Sequence, residues 1–121
     1  MTEYVILLPG DEATWENATA EQKQAMYAKH EEFAKLLEQR GHRIAGGNEL
    51  QSSRLGHTVR TTPDGSVQVT EGPYAESVEQ VTGYYVVDTD DLDDLLQVCG
   101  VLAGAEGAVE VRGTVDHSGT S

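Results

Sequence analysis

Positive charge is scarce in this chain. Of 121 residues, 8 are Lys or Arg and 21 are Asp or Glu, a net charge of −13 at neutral pH. A field of that sign repels phosphate backbones and anionic bilayer surfaces, so neither nucleic acid nor membrane is expected as a partner. Cysteine occurs once, at Cys99, which excludes an internal disulfide and any multi-cysteine zinc site. Long apolar runs are missing too: the longest is Tyr4 to Leu8, against the roughly 20 residues a bilayer-crossing helix needs. Glu3 stands near the start and no basic residue accompanies it, so no secretory leader is expected and the location expected is cytoplasmic. What is left is a lean composition, 38% hydrophobic and 6% aromatic. A chain of this length forms one domain and buries about two-thirds of the surface it exposes when unfolded.

The apolar residues that are present are well patterned. Tyr4-Val5-Ile6-Leu7-Leu8 reads as a strand buried on both faces, stopped by Pro9-Gly10-Asp11. A loop holding Trp15 follows. Thr19 and Gln22 have capping-box spacing and open a helix expected to reach about Arg40, with Gly41 as its left-handed cap. Met26, Phe33 and Leu37 form its apolar stripe. Ile44 to Leu50 is a weak strand broken by two glycines. Two alternating segments, 58–61 and 67–70, flank Pro63-Asp64-Gly65 and form a hairpin. A loop leads to a strong strand at Gly83 to Asp88, a second helix over 90–103 with Leu92, Leu95, Leu96, Cys99 and Leu102 as its apolar side, and a last strand at Val109 to Arg112.

This order predicts an α+β fold: a ferredoxin-like split βαβ sheet with both helices on one face, in a single domain over 1–115 and a polar tail over 116–121. The other sheet face is apolar as well, and a second copy of the chain is its simplest cover, so a homodimer is expected.

His30 is the most informative residue. At 100° per residue it lies within about 60° of Met26, Phe33 and Leu37, so it faces the sheet. A buried imidazole needs a partner at each nitrogen. It is either a packed core histidine or an acid/base group in a cleft between the first helix and the sheet. The carboxylates that could orient it are Asp11, after the first strand, and Glu71, after the hairpin. The five aspartates between Asp88 and Asp94 lack the glycine and glutamate of a calcium loop, and are read as acids gathered at a helix start. His42, His57 and His117 show no metal spacing and read as surface or loop residues. No metal site and no cofactor are expected.

The stretch Thr70-Glu71-Gly72-Pro73-Tyr74-Ala75-Glu76, continuing through Glu79-Gln80 to Gly83-Tyr84-Tyr85, resembles the signature of the DGPF branch of YCII-related proteins. The chain departs from that signature with Glu71 for aspartate and Tyr74 for phenylalanine. Tyr4 to Glu12, His30 with Phe33, Asp88 to Leu95 and Val109 to Arg112 extend the resemblance over nearly the whole length. It implies a dimeric α/β-barrel with an inserted hairpin, and a cleft carrying a histidine and an acid. His30 matches the histidine, and Asp11 matches the acid better than Glu71 does.

Two functions follow. In the first, the chain is a small enzyme: His30 acts as acid/base, Asp11 or Glu71 orients it, and Arg54, Arg60, Tyr74 or Tyr85 holds a polar small molecule. In the second, it is a non-catalytic dimeric module that binds a metabolite or a protein partner; the resemblance links this role to sigma-factor systems. The environment of His30 separates them: an open cleft with a carboxylate in reach favours chemistry, and a dry pocket favours packing.

Overall fold

The apolar run at Tyr4 to Leu8 is the middle of a strand twice its length. In the computed structural model, which describes residues 1–118, β1 spans Thr2–Asp11. Pro9 does not stop it. The pairing register shifts between Leu8 and Pro9, and the last strand reaches only as far as Leu7 along β1. Pro9 therefore lies on a locally free edge beside a bulge, where its missing N–H costs nothing.

The Trp15 segment, expected as a loop, is a short helix, α1 (Glu12–Glu16). Helix α2 (Ala20–Gln39) opens on the full capping box of Thr19 and Gln22 and ends before Gly41, whose φ is +83°. Strand β2 (Arg43–Glu49), a 3-10 turn (Ser53–Leu55), β3 (His57–Thr61), β4 (Val67–Glu71), β5 (Glu79–Thr89), α3 (Leu92–Glu106) and β6 (Glu110–Gly113) complete the order. The sheet runs β2-β5-β1-β6 with every neighbour antiparallel, and the β3–β4 hairpin forms a separate two-stranded sheet. The fold is thus α+β, with antiparallel sheets and α2 and α3 packed together on one face. No helix among the described residues is long and apolar enough to cross a membrane.

Alternation decides what faces the helices. Ile6 and Leu8 of β1 and Val87 of β5 meet Phe33 and Leu37 of α2 and Leu95, Val98, Cys99 and Leu102 of α3 in one core. Leu92 and Leu96, expected on the buried side of the second helix, are exposed instead. Burial pushes the Cys99 thiol up to about 11. On the opposite sheet face Val5 pairs with Val86 and Leu7 with Tyr84, all four half-buried and uncovered within the chain.

His42 corrects the reading of a surface histidine. It is buried, with Nδ1 2.6 Å from Thr89 Oγ1 and Nε2 2.7 Å from Asp94 Oδ2. Asp94 also takes the Arg40 guanidinium. This cluster ties the end of α2 to the start of α3. The neighbouring aspartates have similar uses: Asp88 holds Arg43, and Asp91 caps α3 by accepting from the Asp94 N–H. Of the tail expected over 116–121, residues 119–121 lie outside the described range.

Candidate functional site

A cleft of about 1160 Å³ opens between α2 and the end of the sheet where β1, β2 and β5 meet. Its inner part is built around His30. The helical period aims His30 from α2 at the sheet, and Tyr85 rises from β5 to meet it. His30 Nδ1 lies 2.7 Å from Tyr85 Oη, and Nε2 lies 2.8 Å from Glu106 Oε1. The His30 and Tyr85 rings are stacked at 5.8 Å, with Phe33 tilted against Tyr85 at 5.2 Å. Opposite Tyr85 in the pairing, Gly47 has φ +146°, and a Cβ there would stand 2.5 Å from the Tyr84 carbonyl oxygen. A side chain at that point would push β2 off the cleft floor.

With the ring neutral and Glu106 ionised, the two contacts allow one proton placement. An ionised Glu106 only accepts, so His30 Nε2 carries the proton it donates to it. In the neutral ring Nδ1 is then the acceptor, and Tyr85 donates its O–H there. Burial, and secondarily the charge of Glu106, hold the Tyr85 phenol above its ordinary value of 10.0. Tyr85 is therefore a neutral phenol at physiological pH, joined through an imidazole to a carboxylate. The His30 and Glu106 side chains are 20% and 12% exposed, closed in but not sealed.

The carboxylate on His30 is Glu106, and neither carboxylate expected in that role reaches it. Asp11 lines the cleft wall but caps α1, with Oδ1 accepting from the N–H groups of Ala13 at 3.0 Å and Thr14 at 3.3 Å. A short acidic side chain just before a helix is captured locally before it can serve a distant partner. Glu71 lies at the end of β4 opposite His57, exposed and outside the cleft. Of the four expected binding residues, Tyr85 lines the cleft and three do not. Arg54 pairs with Glu16 at 2.8 Å. Arg60 lies over the Tyr74 ring at 5.5 Å on the hairpin side. Tyr74 is 81% exposed and is not among the residues that line the cleft.

Sequence reasoning missed Glu106 because it ended the second helix at Ala103. A signal was present: Leu95, Cys99, Leu102 and Glu106 share one helical stripe, so the acid continues a buried face. It also missed the outer wall. There Tyr27 Oη donates to Glu49 at 2.9 Å, a contact that raises the Tyr27 phenol, and the Trp15 and Tyr27 rings meet edge to face at 5.6 Å.

Among curated proteins, the chain is similar to uncharacterized protein R00369 of Rhizobium meliloti (strain 1021), at 32% identity over 76 residues. That alignment covers 52% of this chain and 61% of the relative's length. The model of the YCII-related domain matches residues 2–114. The match takes in every strand and helix that builds the cleft, and the chain belongs to the YCII-related domain family.

Proposed function

We propose that this protein is a small enzyme that transfers a proton to or from a small molecule bound in the cleft. The observation that carries this reading is the linear array Glu106–His30–Tyr85 along the cleft wall. Tyr85 Oη takes a proton from the ligand while its own O–H proton passes to His30 Nδ1, and Glu106 stabilises the imidazolium that forms from the Nε2 side. In the return step Nδ1 gives that proton back to Oη as Oη releases one to the ligand. Asp11 shapes the wall through its cap on α1, and a packed histidine with only backbone partners is the arrangement this site least resembles.

The test joins ligand discovery to substitution. A metabolite library screened by thermal shift identifies compounds that stabilise the chain by mass action. With a compound that turns over, Tyr85→Phe and His30→Gln are expected to lower kcat by about 10²–10⁴-fold while thermal stabilisation by the compound persists. Turnover unchanged in both variants would refute the acid/base role.

The strand order, with the hairpin placed between β2 and β5, supports a ferredoxin-like split βαβ sheet with an insertion. The stretch from Thr70 to Tyr85 supports placing the chain in the DGPF branch. The uncovered face at Val5, Leu7, Tyr84 and Val86, together with the exposed Val59, Val67 and Val69 of the hairpin, supports a homodimer closed through that face. Light scattering should return twice 13.1 kDa at micromolar concentration, and a particle of 13.1 kDa would rule the dimer out.

A further inference from the structure

The outer wall of the cleft differs from the inner array in charge and in surface. Asp11, Glu12, Glu16, Glu49 and Glu106 line the cavity, and Lys23 is the one Lys or Arg among its lining residues. Most of these acids are committed. Asp11 caps α1, Glu16 meets Arg54, and Glu106 meets His30. Glu12 is turned onto Ser53, whose backbone N–H it accepts at 2.6 Å. Glu49 is left with a neutral donor: both its oxygens take the Tyr27 hydroxyl, at 2.9 and 3.2 Å. Among the described residues no basic group comes within 4.0 Å of it.

Beside Glu49 stand two aromatic rings. Tyr27 holds its edge-to-face contact with Trp15, and the Lys23 ammonium rests over the Trp15 ring at 5.5 Å. The chain's own flexible ammonium thus already occupies a cation position on that ring. An aromatic face next to an uncompensated carboxylate attracts an organic cation twice over, through the ring quadrupole and through the charge. A carboxylate or phosphate ligand would meet the opposite: several negative side chains and one lysine already engaged.

We propose that the outer wall formed by Trp15, Tyr27 and Glu49 binds the ammonium group of a cationic small molecule. The inference rests on the reading of this cleft as a small-molecule site, and it names the ligand class: an amine, protonated at neutral pH, with its reacting end directed toward Tyr85. Lys23 is the internal competitor that the ligand's ammonium displaces from the indole.

Trp15 is the only tryptophan, so its fluorescence reports this wall directly. The full chain is titrated at neutral pH and low salt with three probes of one shape: benzylamine, benzyl alcohol and benzoate. Benzylamine is expected to change Trp15 emission saturably and to bind about tenfold more tightly than the other two. Glu49→Gln, a change at an exposed position, should erase about fivefold of that preference. Lys23→Met should tighten benzylamine about twofold to fivefold by vacating the ring. Benzoate binding as tightly as benzylamine, a preference untouched by Glu49→Gln, or no saturable response to any probe would each overturn the proposal. Tyr85→Phe is the separating control: benzylamine preference should survive it. If the preference survives in the wild type and in this variant while no cationic compound turns over, the acid/base reading fails and the cation site stands.

Discussion

His30 and His42 hold the same kinds of partner. Each has a hydroxyl on Nδ1 and a carboxylate on Nε2, at 2.7 and 2.8 Å for His30 and at 2.6 and 2.7 Å for His42. The side chain of His42 is 1% exposed and that of His30 is 20% exposed. Around His42 every capacity is used: the Thr89 oxygen also accepts from the Asp91 N–H, and Asp94 also holds Arg40. Around His30 the same chain of contacts runs along an open cleft, with a phenol at its end instead of a buried threonine. A hydroxyl–imidazole–carboxylate array is therefore no signature of chemistry by itself. What separates a clamp from a reactive group is whether the terminal hydroxyl has an unfilled side.

The sharpest way to break this contrast is to exchange the two histidines' fates by substitution. His30→Gln should lose about 10²–10⁴-fold in turnover and His42→Gln should keep turnover within about threefold of wild type at temperatures where it stays folded. Equal losses would mean that the two clusters do one job. The second effect is on stability. His42→Ala strands the Thr89 hydroxyl and Asp94 beside a new cavity, and a denaturant melt should show a loss of about 2–4 kcal/mol. His30→Ala opens onto a cleft that water can enter, and about 1–2 kcal/mol is expected.

Acid sharpens the comparison further. The hydrogen bond from Arg40, and then that from His42, hold the Asp94 carboxyl below its ordinary value of 3.8. A depressed carboxylate stabilises the fold above the unfolded value and ceases to do so as pH falls through the folded value. The stability gap between wild type and Asp94→Asn should close as pH falls below about 5. A gap that widened between about pH 5 and 2 would contradict the assignment. The smallest effect belongs to the hairpin side. Tyr74 is 81% exposed, so Tyr74→Ala should shift chain stability by no more than about 1 kcal/mol. A loss of about 3 kcal/mol would instead place it in a packed interface.

Local signals carried the sequence reading a long way. The capping box at Thr19 and Gln22, the glycine at Gly41 and the hairpin around Pro63-Asp64-Gly65 each act over a few residues, and the structure contains all three. The facing of His30 also followed from local periodicity. Its partner did not, because Glu106 lies 76 residues away and comes into reach only when α3 packs beside α2. Asp11 matches the acid of the family pattern, and the structure does place it on the cleft wall. The competing claim of α1 on its side chain was hidden in a segment read as a loop. Pro9 misled for a related reason: whether a proline ends a strand depends on which edge is paired there, and that is a property of the whole sheet.

The core position of Cys99 turns this protein into its own stopwatch. A thiol held near 11 and shut away from solvent yields almost no thiolate for an alkylating reagent to find. Labelling must wait for excursions in which α3 lifts from the sheet, and at high reagent concentration its rate becomes the frequency of those excursions. Because α3 also carries Glu106 on the stripe that continues from Cys99, each such excursion dismantles the array on His30. A ligand seated in the cleft should therefore slow the labelling of a sulfur it never touches, and at low reagent concentration, where labelling tracks the open population, the ratio of rates with and without it gives the free energy by which occupancy holds that helix down.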